Sequence, residues 1–380
     1  MDRRAFLIGC SLAASPLVTP VSFAAAPGDG RLVVVILRGA MDGLDILQPY
    51  GDPVLAGLRP SFEIGPAAGN PDLDGFHALH RSLAPLTSWW TGGDLAFAQA
   101  VSTPYRGKRS HFDGQDLLEA GTPGLLPLSQ RDGWLNRLVG VVPGAHGRTA
   151  FAIGRENMKI LRGEAAHSRW APDARLELSA ATADLLRHVY HDDSLFRRSA
   201  QEALILSAED PGSADLKPHE ALFDFAATQL RADARIAALS IGGWDTHQSQ
   251  AARIRQPLER LATGLAALRQ GLGPYWDRTA VLAVTEFGRT VRENGTKGTD
   301  HGTGGTLLLA GGAIRGGRVL GAYPGLAESD LLDGRDVMPM RDVRAYAAWA
   351  MAGLFGLGRY ELETTVFPGL EMGEDPNVLA

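Results

Sequence analysis

Three short blocks in the second half of the chain carry its densest chemistry: Gly242-Gly243-Trp244-Asp245-Thr246-His247, Thr285-Glu286-Phe287-Gly288-Arg289 and Gly298-Thr299-Asp300-His301-Gly302. They supply carboxylates and imidazoles with no thiol, a donor mixture suited to a hard or borderline divalent ion facing an anionic ester. Asp245 and His247 stand two apart, so in extended chain both project to one side while Trp244 and Thr246 face away. The glycine pair before them lets the backbone approach a neighbour closely. Glu286 could ligate a metal, orient a ligand histidine or pair with Arg289. Arg289, next to a metal, could clamp a phosphate or sulfate bidentately. Asp300 and His301 read as ligands or as incidental polar residues of a glycine-rich loop.

Each block needs an element to hold it. Residues 236–241, 280–285 and 306–310 are short apolar runs of the kind that form strands buried on both faces. Residues 32–37 are another, ending in Arg38-Gly39-Ala40-Met41-Asp42-Gly43. Asp42 then lies in the loop at the carboxyl end of a central strand, where open α/β sheets bind their ligands; a turn acid between glycines is the alternative. A strand over 95–101 leads towards Ser110, which reads as the N-cap of a helix running through Ala120 and stopped by Gly121. Capping by itself accounts for a serine there. The same position gives a nucleophile the positive end of a helix dipole, so both readings of Ser110 stand.

Apolar runs alternate with helical patterns, with no repeat and no long Ser/Pro/Gly linker. This predicts a single α/β domain over 27–380, with a mostly parallel central sheet flanked by helices on both faces. Trp89, Trp90 and Trp134 have helical spacing with their apolar neighbours and are expected in the core.

Arg3-Arg4 precede an uncharged stretch reaching Pro27, and Ser22-Phe23-Ala24 supplies small residues for cleavage. This resembles a twin-arginine export signal over 1–26, and Pro16 and Pro20 argue against a membrane anchor. The expected partner is the twin-arginine export machinery, and the expected location periplasmic or extracellular. Cys10, the single cysteine, lies inside that segment, so the mature chain has no disulfide and no thiolate ligand. The 43 acids against 37 Lys and Arg give a net charge of -6, and no basic stripe is available for a nucleic acid. Neither a Gly-x-Gly-x-x-Gly after the first strand nor a Gly-Lys-Ser phosphate loop occurs, which gives nucleotide cofactors little support.

The three blocks, taken with Arg109-Ser110-His111-Phe112-Asp113, resemble an uncharacterised exported, sulfatase-like family, the domain of unknown function 1501 (DUF1501). That family is similar, more distantly, to the alkaline phosphatase and sulfatase superfamily. The resemblance implies an alkaline-phosphatase-like fold and a metal-dependent hydrolase of phosphate or sulfate esters. It implies Ser110 as nucleophile, and Asp42, Asp245, His247, Glu286, Asp300 and His301 around one or two divalent ions, whether zinc, manganese, magnesium or calcium. The superfamily commonly has Asp-His-Gly where this chain has Glu286-Phe287-Gly288, so a histidine ligand is missing. That leaves open an exported binding or assembly protein that keeps the fold without turnover. Ser102-Thr103-Pro104-Tyr105-Arg106 fits the Ser-x-Pro-x-Arg form that sulfatases convert to formylglycine, which makes Ser102 a second candidate nucleophile. His77, His80, His146, His167, His188, His191 and His219 have no matching partners and read as surface or hydrogen-bonded core residues.

Overall fold

Leu32 to Leu37 are six consecutive apolar residues with no exposure to solvent, and they form the middle of the central strand. The computed structural model describes residues 29–125, 127, 132–172 and 217–380. The export signal expected over 1–26 lies outside these residues, as do His188 and His191. Nine strands make one sheet: β1 (Arg31–Arg38), β2 (Leu95–Ser102), β3 (Ala150–Ile153), β4 (Ser168–Trp170), β5 (Ile236–Gly242), β6 (Thr279–Val284), β7 (Gly305–Ala310), β8 (Arg318–Leu320) and β9 (Arg341–Asp342). Their order is β8-β2-β7-β6-β1-β5-β3-β4, with β9 pairing β2.

The sheet is mostly parallel, as its runs of Val, Ile and Leu predict. The exception is β7, which pairs antiparallel with both β2 and β6. That reversal matters for the site. β1, β5 and β6 run in parallel and deliver the residues that follow them to one edge of the sheet. Because β7 runs the other way, the residues that precede it arrive at that same edge. Asp300 and His301, on the amino side of their strand, therefore meet Asp245 and Glu286, on the carboxyl side of theirs.

Successive residues of β1 face opposite sides of the sheet. Leu32, Val34 and Ile36 join a core with Leu118 of α1 (His111–Ala120), Leu135 and Leu138 of α2 (Trp134–Val141), and Met351 of the C-terminal helix Val343–Phe355. Val33, Val35 and Leu37 join the opposite core, with Phe223 of the helix Pro218–Arg231 and Leu261 and Leu265 of the helix Arg255–Leu272. Each such side chain, fully buried, contributes roughly 1.5–3 kcal/mol, so both faces anchor the frame that carries the loops. Trp89, Trp90 and Trp134 are buried as expected. Among the described residues no helix is long and apolar enough to cross a membrane.

Candidate metal centre

Local chain geometry brings the blocks together. Beyond the sheet, Arg289 and His301 form an isolated antiparallel bridge, closed by Thr290 N–H to the Asp300 carbonyl at 2.9 Å and Gly302 N–H to the Gly288 carbonyl at 2.8 Å. Gly298 packs so tightly that a β-carbon there would lie 2.3 Å from the His247 carbonyl carbon, so only glycine lets this loop touch the Asp245-His247 segment. The expectation for the pair at 242–243 needs correcting. Neither glycine is closely approached; Gly243 is required for its backbone, at φ +100°, which turns the chain out of β5. Trp244 and Thr246 point into the protein and Asp245 and His247 outward, as the two-residue period predicts.

Asp245 Oδ1 is the hub of the site. It lies 3.0 Å from His247 Nε2, 3.3 Å from His301 Nε2 and 3.5 Å from His111 Nε2, while the two ring nitrogens of His247 and His301 are 2.9 Å apart. His111, Asp245 and His301 each offer a ligand atom within 4.8 Å of the others. Donors around an ion at 2.0–2.1 Å are separated by about 3.3 Å in a tetrahedron, close to the spacings that His111, His247 and His301 keep from Asp245 Oδ1.

The outer nitrogen of each ring faces an oxygen. His111 Nδ1 lies 2.8 Å from Glu286 Oε1, His247 Nδ1 3.2 Å from Asp300 Oδ1, and His301 Nδ1 2.7 Å from the Arg109 carbonyl. With Nδ1–H donating in all three, every Nε2 presents a lone pair to the centre. Two lone pairs at 2.9 Å repel unless a cation lies between them. His111 Nε2 is a buried ring nitrogen with no hydrogen-bond partner. A cation answers both observations, so these residues fit a metal ion.

Electrostatics points the same way. Burial works against a charge on Asp245, yet the hydrogen bond and charge of Arg289, with His247 and His301, bring its pKa down to about 2. Burial also opposes a charge on Glu286, but the His111 hydrogen bond and those from backbone and Gln115 hold its carboxyl below the usual range. That same contact raises His111 against the effect of burial, making it a more basic donor. His301 is lowered, first by burial and then by the charges of Arg289 and His111.

Several expected residues take other places. Asp42, anticipated as a metal acid, caps the short helix Gly43–Ile46 and is clamped by Arg59 through contacts of 2.9 and 3.1 Å. Gln250 also donates to it at 2.6 Å, so this buried carboxylate is neutralised by a guanidinium. Of the contacts open to it, Glu286 makes the one to a histidine, His111; fully buried, it also accepts from Gly39 N–H and from Gln115. Asp300 likewise stands behind His247 and accepts from Asn294 at 3.0 Å. Arg289 is not placed as an anion clamp. It is 1% exposed and donates to the carbonyls of Gly39, Ala40, Trp244 and Thr299 as well as to Asp245 at 2.7 Å.

Ser110 caps α1, accepting from Asp113 N–H at 3.5 Å, a long contact, and its own N–H donates to the Tyr105 hydroxyl. Ser102 is buried at the end of β2, where its hydroxyl accepts from Arg106 at 3.1 Å. His111, to which the sequence motifs assign no role, joins the centre. It occupies the first position of α1, and Phe287, standing where a histidine was expected, stacks on it with ring centroids 5.3 Å apart. Tyr105 in turn stacks on Phe287 at 5.9 Å, so an apolar wall backs the His111 ring. The available signal was a strand-end glutamate with no cation committed to it, alongside a histidine at a helix start.

A mostly parallel α/β sheet bearing three imidazoles and a carboxylate at one edge defines the class of this protein. Residues 93–348 match the family described as "Protein of unknown function (DUF1501)", and the chain belongs to that family. All four motifs that suggested it fall inside the matched region, whereas Asp42 does not. No curated protein matches the chain. Similar solved structures include a protein in the alkaline phosphatase superfamily from Vibrio parahaemolyticus, 13% identical over 82% of this chain and 69% of that one, with a TM-score of 0.30. The C-terminal periplasmic domain of EcEptC from Escherichia coli, in complex with Zn, is 10% identical over 74% and 73%, with a TM-score of 0.34. PsFucS1 sulfatase from Pseudoalteromonas sp. is 13% identical over 92% and 72%, with a TM-score of 0.40. All three are distant.

Proposed function

We propose that the protein is an exported, metal-dependent hydrolase of phosphate or sulfate esters. One observation carries the reading: three histidines whose Nδ1 atoms face oxygen acceptors turn their Nε2 atoms, one of them orphaned, onto the Asp245 carboxylate. His111, Asp245 and His301 would hold the ion, with His247, 2.9 Å from His301, as a further donor. Three imidazoles and one carboxylate favour a borderline ion such as zinc or manganese over magnesium or calcium. An ion held there would supply Lewis-acid stabilisation of the charge that develops on the ester oxygens.

The chain's own residues do the rest. Ser110 immediately precedes a proposed ligand, and its long capping contact leaves the hydroxyl available as the attacking oxygen. Its Oγ bonds to phosphorus or sulfur, releasing its proton to solvent, as the bond to the ester oxygen breaks and that oxygen takes up a proton. A water oxygen then bonds to the same atom, the Oγ bond breaks, and a proton from that water restores the hydroxyl and frees the anion. Phe287 and Tyr105 exclude water from the back of His111. Glu286 and Asp300 fix two of the rings.

Metal analysis of protein purified without chelator, together with a panel of aryl phosphate and sulfate esters, tests the proposal. One ion per chain and turnover abolished by Ser110→Ala are expected. Turnover that survives Ser110→Ala removes the serine from the mechanism, and protein with neither metal nor turnover sinks the hydrolase. Export by the twin-arginine route is tested by replacing Arg3 and Arg4 with lysine, which should leave the precursor in the cytoplasm; unimpaired export would refute that route.

A further inference from the structure

We infer that Arg109 is the residue that binds the tetrahedral anion of the substrate at this centre, an assignment that rests on the ester hydrolase proposed above. Such a reaction needs a cation able to meet the oxyanion. Arg289, the obvious one in sequence, is buried and held by main-chain carbonyls. Arg335 donates to the His301 carbonyl at 2.9 Å and to Asp336 at 2.7 Å. Lys108 reaches towards Asp113 at 3.9 Å and is three-quarters exposed.

Arg109 differs from all of these in position and in how loosely its side chain is held. Its carbonyl accepts from His301 Nδ1 at 2.7 Å, which places its α-carbon one peptide and one imidazole from the cluster of Nε2 atoms. It adjoins Ser110 and stands two residues before His111. Its guanidinium contacts Asp336 Oδ2 at 3.4 Å, but that oxygen already accepts from Thr303 at 2.9 Å, and the other carboxylate oxygen from Arg335. The Arg109 contact is therefore the longest of the three and the easiest to exchange for a stronger one. A dianionic or monoanionic ester offers just that, because a guanidinium grips paired oxygens of phosphate or sulfate better than a distant shared carboxylate.

The backbone adds a second reason. Arg109 has φ +51°, where glycine or asparagine is favoured and a long side chain gains nothing locally. The bond to His301 accounts for the strained conformation that aims the carbonyl; of the guanidinium's uses, the long shared contact with Asp336 is the weaker and anion binding the stronger.

The strain also makes the test clean, since Arg109→Asn and Arg109→Gly both suit this backbone. Binding of inorganic phosphate to the zinc-loaded full-length protein is measured by equilibrium dialysis, alongside zinc content and melting temperature. Wild-type protein should bind phosphate only when zinc is present. Both variants should bind it about 10- to 100-fold more weakly, with zinc content and melting temperature unchanged or the latter raised. Arg109→Lys should recover part of the affinity. Wild-type phosphate affinity in the variants overturns the assignment while leaving the hydrolase intact, and so does a variant whose weakened binding follows from lost zinc. Wild-type protein that holds neither zinc nor manganese and turns over no ester overturns the hydrolase, and this assignment with it.

Discussion

Glu286 and His111 meet at 2.8 Å across the junction of a buried strand end and a helix start, although they stand 175 positions apart in the chain. The carboxylate is fully buried and touches no lysine or arginine among the described contacts; it is held by the imidazole, Gly39 N–H, Gln115 and Thr285. A buried charge in that setting persists only when its hydrogen bonds satisfy it. The pair thus fixes the tautomer of His111 and turns its Nε2 to the centre.

Replacing Glu286 with Gln keeps the shape and removes the charge. Metal affinity, measured by competition with a chelator, should fall about 10- to 100-fold, the usual range for such supporting partners. The fold, followed by circular dichroism, should persist. Wild-type affinity in this variant would separate Glu286 from the centre.

His111→Ala and Asp42→Ala should part company. The first should remove or greatly weaken the bound ion at little cost to the fold. The second leaves Arg59 buried without its counter-ion, which costs about 3–5 kcal/mol of stability in urea unfolding while metal content stays unchanged. If Asp42→Ala loses its metal and keeps its stability, Asp42 is a ligand after all and the Arg59 pair is incidental.

Arg289→Lys should behave as a scaffold mutation. A lysine ammonium cannot reach the four carbonyls and the carboxylate that the guanidinium spans, so several buried acceptors lose their donor. Unfolding free energy should drop by about 3 kcal/mol, with metal affinity falling as Asp245 is released. A variant of undiminished stability that has lost only phosphate binding would return Arg289 to the role of anion clamp.

His80 makes the fold sensitive to acid. Burial, followed by the charges of Arg81 and Arg255 and opposed by Glu63, lowers its pKa to about 4, and its Nδ1 accepts from Ser82 N–H only when neutral. The unfolded chain takes up that proton near the ordinary pKa of about 6.5. The stability linked to it is therefore whole above pH 6.5 and lost progressively as pH falls towards 4, by about 3 kcal/mol in total. His80→Asn, which still caps but does not titrate, should flatten the loss between pH 7 and pH 5 in denaturant titrations. Parallel curves for variant and wild type would clear His80.

Residue types and local periodicity settled much of this protein before any folding. Runs of Val, Ile and Leu specify strands buried on both faces, and Ser110 with Gly121 brackets a helix that the structure places at His111–Ala120. The two-residue step from Asp245 to His247 puts both on one side, and the four motifs identify the family. Those features depend on neighbours in the chain, where spacing is itself the geometry.

Which charged groups meet was decided only by the tertiary structure. Asp42 and Glu286 are both acids at strand ends, and nothing local tells that one faces Arg59 and the other His111. Arg289 reads as an anion clamp until the packed loops surround it with carbonyls. The imidazole beside Glu286 comes from α1, and His301 reaches the same edge because β7 alone is reversed in its part of the sheet. Long-range partners fix the cost of burying each charge, and that cost assigns a carboxylate to a metal, an imidazole or a guanidinium.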